Sequence, residues 1–469
     1  MQQMNKRQII QNLKSFSIGP IVSAGLSFIA TPIYTYFLSP EEMGKASMFT
    51  LACTIIQLVV FLGMDQAFAK RYYESENRSS LLTNAIFPSL ILAIAVCLNI
   101  LIFRRQVSYL LFGTEFELVC VYALILVIPG LAVERFGLLC VRMEQNGSLY
   151  SFLLIVLKAI VILTTLGFIL IKEKTFRAII WGQVGAQALF SILLCVVSRK
   201  QVSFRISDLN RAEMKSLLRF GIPLVPTTII GWALNGTDKL MMRFLCNYSE
   251  IGLYDLALKV ASLLTIIQSS FTTFWIPLAH QWNNEHVNVS SFVKTGKYLT
   301  CVMSLLFMFV LLTRNVALLL FKPEYYEAAS IIPFLLFTPI MYTISEVTVM
   351  GIYFKEKTEW TIVISLSSAI INIALNYALI PIWGASGAAI ATGLSYICFF
   401  WARTIFSRKL WFPFPLIDYY VITVLLLSAA FCNTFYDGPI EYVSNIVILS
   451  LIILYYKNEI RQMLKAGIR

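Results

Sequence analysis

Residues 360–402 read WTIVISLSSAIINIALNYALIPIWGASGAAIATGLSYICFFWA, forty-three positions without one Asp, Glu, Lys or Arg. A bilayer crossing by a helix takes about twenty apolar residues, so this run is long enough for two. Pro381-Ile382-Trp383-Gly384 interrupts it, and such residues break helices and make turns. The stretch therefore predicts two membrane helices joined by a tight turn. Backbone polar groups have no water to bond in hydrocarbon, which restricts a long apolar run of this kind to helix.

Similar windows extend in both directions. Toward the N-terminus they are Ser15–Pro40, Ala46–Met64, Ser79–Phe103, Leu118–Val133, Ala178–Ser198, Gly221–Thr237, Val260–Asn284, Tyr298–Thr313 and Ala328–Ser345; toward the C-terminus, Tyr419–Tyr436 and Tyr442–Tyr456. Between Asn146 and Ile171 only Lys158 interrupts the apolar run, so this too reads as a span. The expectation is an all-α integral membrane protein of about fourteen transmembrane helices. Composition agrees: 58% of residues are hydrophobic and 13% charged, outside the usual range for soluble domains. Lys6, Arg7 and Lys14 precede a first apolar run too long for a signal peptide, which predicts a retained first helix.

Function classes drop out on the same grounds. The nine cysteines lie singly and the two histidines, His280 and His286, are too few for a histidine cluster, so neither a disulfide framework nor a metal site is expected. No cofactor is expected, and no G-x-x-x-x-G-K-[ST] motif exists for ATP. The excess of 37 Lys and Arg over 25 Asp and Glu does not point to nucleic acid, because most of the cations flank apolar runs, where they set topology. With a cytosolic N-terminus and alternating crossings, 24 of the 37 cations fall on the cytosolic side, ten outside and three within spans. Both termini are therefore expected in the cytosol. Lys172, Lys174 and Arg177 oppose that rule.

The longest hydrophilic piece lies between Arg199 and Arg219. It predicts an N-terminal six-helix lobe (1–198), a cytosolic linker (199–219), a C-terminal six-helix lobe (220–409) and two accessory helices with a cytosolic tail (410–469). The halves repeat. Phe16-Ser17-Ile18-Gly19-Pro20 opens the first span and Glu42-Met43-Gly44 follows it; Phe220-Gly221-Ile222-Pro223 opens the seventh and Glu250-Ile251-Gly252 follows. Gly182-Gln183-Val184-Gly185-Ala186 is answered by Gly384-Ala385-Ser386-Gly387-Ala388. Repeated halves of this kind belong to alternating-access transporters, whose site lies where the repeats meet.

Ionisable residues inside spans are functional candidates because their burial in lipid is costly. Lys158 has no carboxylate within one turn on its own helix and is the first choice for meeting an anionic cargo. Arg135, Lys259 and Lys239 are further substrate-binding candidates, although Asp255, four residues before Lys259, offers it an ion pair on the same face. Glu346 and Asp238 are candidates for coupling or gating. Trp232, Asn235, Tyr254, Gln268, Trp275 and Tyr342 could meet sugar rings and hydroxyls, or serve only in packing.

Phe37-Leu38-Ser39-Pro40-Glu41-Glu42-Met43-Gly44, Gly63-Met64-Asp65-Gln66-Ala67 with Arg71-Tyr72, Thr237-Asp238-Lys239-Leu240 and Gly384-Ala385-Ser386-Gly387-Ala388-Ala389 together resemble the polysaccharide repeat-unit flippases of bacterial envelopes. Their superfamily also holds multidrug exporters and the peptidoglycan-precursor flippase. The resemblance implies two six-helix lobes around a cavity, two accessory helices, a polyprenyl-diphosphate-linked oligosaccharide as cargo, the bacterial cytoplasmic membrane as location, and polymerase and glycosyltransferase partners in O-antigen or related polysaccharide synthesis. An antiporter driven by H+ or Na+, in the same fold, is the alternative. A polymerase or acyltransferase fits poorly, since the external loops are short and no buried histidine is expected.

Overall fold

The computed structural model describes residues 6–197 and 206–467, with side chains described for 15–197, 207–233 and 236–465. The linker cations Arg199, Lys200 and Arg205, and the side chains of Lys6, Arg7, Lys14 and Asn235, lie outside the described set. Every regular element among the described residues is a helix. The chain forms two compact units, Met1–Ile229 and Ile230–Arg469.

The first unit holds α1 (Lys6–Phe37), α2 (Pro40–Phe61), α3 (Met64–Arg71), α4 (Arg78–Ile102), α5 (Arg104–Phe112), α6 (Leu118–Met143), α7 (Gly147–Ile171), α8 (Phe176–Val197) and α9 (Arg211–Gly221). A 3-10 turn at Ile222–Leu224 leads into α10 (Val225–Leu245), within which the unit boundary falls. The second unit continues with α11 (Tyr248–Asn284), α12 (Val289–Leu318), α13 (Ala328–Leu335), α14 (Phe337–Thr348), α15 (Met350–Phe354), α16 (Glu359–Leu410), α17 (Ile417–Phe435), α18 (Pro439–Tyr455) and α19 (Lys457–Gly467).

Among the described residues, eleven helical stretches are long and apolar enough to cross a bilayer, or twelve with the bent pair α18 and α19. The difference from the expected fourteen has physical causes. The Trp360–Ala402 run lies within one 52-residue helix broken at Gly384, where φ is 53° and ψ is −128°. That conformation is open to glycine and strained for other residues. The 37-residue α11 carries Asp255 and Lys259 and a run of Ser, Thr and Gln, and is not among the eleven.

The repeated Glu-x-Gly motif has a mechanical role in each unit. Glu42, in the first turn of α2, accepts a hydrogen bond from the Phe176 N–H at the start of α8. Glu250, in the first turn of α11, accepts one from the Ala385 N–H at 2.8 Å, immediately after the Gly384 break. The first N–H groups of a helix have no intrahelical acceptor and carry the positive end of its dipole, so each glutamate caps a distant helix. Ser39 and Asn247 cap the helices that bear the glutamates.

The described part of the segment read as linker, from Ile206 onward, folds onto the first unit. Glu213 of α9 accepts from Asn84 Nδ2 at 2.7 Å and Ser80 Oγ at 3.0 Å, and Arg71 donates to Ser216 Oγ at 2.7 Å. Leu217 is fully buried among Met64, Phe68 and Leu81. Gly63, at φ 69°, packs directly against the Gly221 backbone, leaving no room for a side chain at either position. In the second unit Arg314 of α12 pairs with Glu441 of α18 at 3.0 Å, both buried, and Asn433 and Asn445 exchange amide hydrogen bonds of 2.7 and 3.0 Å between α17 and α18.

Because the two glutamate caps are equivalent, Glu42→Ala and Glu250→Ala should each cost about 1.5–3 kcal/mol, the range for hydrogen bonds to charged groups. Thermal unfolding of the purified variants in detergent measures this. A neutral result for one and a large loss for the other would break the equivalence.

Candidate functional site

In the first unit α1, α2, α6, α7 and α8 line an open cavity of about 370 Å³. Its wall carries hydroxyls from Ser23, Ser27, Thr50 and Thr54, amides from Gln57, Gln183 and Gln187, and the charged Glu134 and Lys158. Gln183 Nε2 donates to Thr50 Oγ1 at 3.3 Å. A second cavity of about 250 Å³ shares Gln57, Leu131, Glu134 and Leu154 with the first and adds Arg135, Arg142 and Tyr150. Lys158 and Arg135, both chosen from sequence, thus line adjoining cavities.

Arg135 is held by Asp65 of α3: its Nε donates to Oδ2 at 3.0 Å and its Nη2 donates to the same oxygen. Asp65 is nearly buried while Arg135 is more than half exposed, so the carboxylate fixes the guanidinium and leaves part of it facing the cavity. Arg142 is a third cation in these walls. Its i+7 spacing from Arg135 on α6 puts both on one face.

The second unit holds the other candidates in two clusters. Asp238 of α10 is buried and accepts four hydrogen bonds: from Tyr254 Oη at 2.6 Å, Thr392 Oγ1 at 2.7 Å, Asn376 Nδ2 at 2.6 Å and Asn372 Nδ2 at 3.0 Å. The Asn376 Oδ1 in this cluster is buried without a hydrogen-bond partner. Beside it, Asp255 binds both Lys239 and Lys259, the latter at 3.0 Å, so the expected i,i+4 pair forms and gains a second lysine. Carboxylate, amide and hydroxyl oxygens are the ligand types that suit hard cations. Among the described residues no group of three or more His, Cys, Asp or Glu comes together as a metal site.

Glu346 stands apart from that cluster. Its carboxylate receives Arg403 Nη1 at 2.9 Å, the same nitrogen donates to Ser345 Oγ at 2.6 Å, and the guanidinium lies against the stacked rings of Tyr342 and Phe399. Sequence alone offered Glu346 no cation within a turn; the partner is 57 positions away on α16, at the end of the charge-free run. Tyr342 and Trp275 belong to this aromatic cluster, and the Trp275 Nε1–H donates to the Glu346 carbonyl at 3.1 Å.

An all-helical chain with polar, cation-lined cavities between apolar helices defines a multi-pass membrane transporter. The comparisons agree. The polysaccharide biosynthesis protein family matches residues 9–282, more than half of the chain, and the protein belongs to that family. It is 22% identical over 390 residues to the probable low-salt glycan biosynthesis flippase Agl15 of Haloferax volcanii, covering 81% of this chain and 79% of that protein. The fold matches the lipid II flippase MurJ in an inward closed conformation with a TM-score of 0.68 at 16% identity, covering 95% of this chain and 99% of that one. It matches an inward-facing multidrug resistance transporter of the MATE family, in the MOP superfamily, with a TM-score of 0.62 at 15% identity over 83% and 94% of the two chains. The membership places the chain among polysaccharide biosynthesis proteins, and the relatives it resembles are flippases and a transporter rather than enzymes.

The Glu346–Arg403 pair gives a direct test of which charges serve structure. Glu346→Leu leaves a buried arginine unpaired and should cost about 3–5 kcal/mol, whereas the Glu346→Leu, Arg403→Met double variant should recover most of it. Folded yield and melting temperature in detergent read the difference. A single variant as stable as wild type would remove the pair from the fold's support.

Proposed function

We propose that this protein moves a polyprenyl-diphosphate-linked oligosaccharide repeat unit from the inner to the outer leaflet of a bacterial cytoplasmic membrane by alternating access. The observation that carries the reading is the first unit's pair of adjoining cavities, where three cations share a wall with hydroxyls and amides. A lipid-linked sugar must take a diphosphate and many hydroxyls through about 30 Å of hydrocarbon. Cations answer the diphosphate, side-chain amides and hydroxyls answer the sugar, and water in the cavity keeps the desolvation cost low. In this reading Arg135, Arg142 and Lys158 meet the anion, with Lys239 and Lys259 as further candidates. Family membership and the likeness to a glycan biosynthesis flippase support the cargo class.

The proposal keeps the partition into lobes 1–198 and 220–409, linker 199–219 and accessory region 410–469. It also keeps two cytosolic termini, and a polymerase and glycosyltransferases as functional neighbours. H+ or Na+ coupling enters through Asp238: the oxygen-rich cluster around a buried carboxylate, with one amide oxygen unused, supports it. The same cluster favours the second reading, an ion-coupled antiporter of the superfamily.

Two measurements separate the readings. A deletion strain should hold its lipid-linked oligosaccharide on the cytosolic leaflet, seen by leaflet-specific labelling, and lose surface polysaccharide. Unchanged polymer with accumulation of cationic dyes would favour the antiporter. Lys158→Ala should abolish export at wild-type membrane levels while Lys158→Arg keeps a substantial part of it; full export by Lys158→Ala would remove this residue from the mechanism.

For coupling, replacing choline chloride with sodium chloride should raise the melting temperature of the wild type but not of Asp238→Asn. An equal rise in both would move any sodium site elsewhere.

A further inference from the structure

Two short helices near the ends of the two units carry the same pattern. α9 reads RAEMKSLLRFG from Arg211 to Gly221, and α19 reads KNEIRQMLKAG from Lys457 to Gly467. Position by position, a cation stands first, fifth and ninth, a glutamate third, apolar residues fourth, seventh and eighth, and glycine last. Residues at i, i+4 and i+8 form one stripe along a helix, so each helix has a basic stripe, an apolar stripe and one acid.

The structure gives the matching positions matching roles. The acid docks each helix on its own unit: Glu213 accepts from Asn84 and Ser80 of α4, and Glu459 pairs with Lys297 of α12 at 2.9 Å. The docking of α19 is completed by Tyr298 Oη, which donates to Gln462 at 2.5 Å. The six cations point away: Arg211, Lys215 and Arg219 on α9, and Lys457, Arg461 and Lys465 on α19, are all exposed. Lys294, also exposed, stands over the Tyr298 ring beside α19 and adds to its positive side.

We infer that the two stripes bind the anionic headgroups of the surrounding bilayer. α19 turns 69° from α18, the last span, at Tyr456, which lays it near the membrane plane, with Leu464 exposed at the border of its basic stripe. An amphipathic helix so placed sets its apolar edge at the acyl boundary and its cations among the phosphates. A soluble anionic partner would not call for an exposed leucine along the stripe. α9 differs in pose: it leads through the 3-10 turn into α10, and Arg211–Ala233 is apolar enough to cross as one stretch. Its cations therefore follow the span axis, with about 12 Å between Arg211 and Arg219. That spread exceeds a Debye length at physiological salt, so α19, whose cations share one level, should hold anionic lipid more strongly. Positive-inside topology places both stripes on the cytosolic face, where they would concentrate anionic lipids around the protein.

The test uses the full-length protein in neutral maltoside micelles, titrated with short-chain phosphatidylglycerol or phosphatidylcholine at 50 and 500 mM NaCl. Each Lys or Arg near an anionic surface adds to the attraction, and salt screens it. The K457Q/R461Q/K465Q variant should therefore lose roughly tenfold or more in apparent affinity for phosphatidylglycerol and none for phosphatidylcholine. R211Q/K215Q/R219Q should lose less, and high salt should reduce the wild type to the level of the six-site variant. K457R/K465R should bind like wild type, which separates charge from helix docking. Unchanged phosphatidylglycerol affinity in the six-site variant overturns the proposal and turns the stripes toward a soluble anionic partner. Equal losses for both lipids overturn it as well, because they would show that hydrophobic contact alone was being read.

Discussion

A charge carried into hydrocarbon has to be answered within the protein or by water that the protein admits. The whole arrangement of polar groups in this fold follows from that constraint. The energetic scale is several kcal/mol for each unanswered ion, comparable with the entire stability of a domain. Sealed answers are visible in the second unit. Arg314 finds Glu441, Arg403 finds Glu346, Asp255 collects two lysines, and Asp238 gathers four neutral donors. In the first unit Lys158, Arg135 and Arg142 stand on the walls of cavities, with Arg135 also paired to Asp65.

The two answers have different consequences. A sealed pair such as Glu346 and Arg403 fixes α14 against α16 and contributes to a unique packing, but it has no surface left for a cargo. Arg135 is intermediate: Asp65 fixes one edge of its guanidinium while the rest remains exposed. Orientation by a buried carboxylate lowers the entropy a cation loses when it meets an anion. Asp238 differs again. Four neutral donors satisfy it, and no cation is among them.

How much of this the sequence disclosed depends on separation along the chain. Spans were legible because about twenty charge-free residues in a row are hard to place anywhere but lipid, and the Gly384 break was legible from Pro381 and the turn that follows. Lys158 was legible because a lone cation in an apolar run is conspicuous. Partners were not. Asp65 and Arg135 lie 70 positions apart, Glu346 and Arg403 57, and Asp238 and Asn376 138, and only helix packing brings them together. Asn372 and Asn376, one turn apart in an otherwise apolar run, were a signal available in principle, since two amides on one face of a membrane helix need a polar neighbour. Arg403 was misleading for a related reason: it stands at the edge of a charge-free run, where a cation ordinarily marks the interface, yet it turns inward.

The repeated Glu-x-Gly motif explains why the halves keep a short signature when little other sequence is shared. Each glutamate must reach the first N–H groups of a helix more than 130 positions downstream. At that place a carboxylate satisfies both a hydrogen bond and a dipole, and a change of type costs both. The glycine two residues on, Gly44 or Gly252, is buried in both units. Lipid-facing positions need only be apolar, and exposed Leu, Ile and Val side chains stand on α4, α7 and α18. One contact between helices therefore demands a few particular residues where the surrounding positions need only be apolar, which is the form the internal repeat takes in this chain.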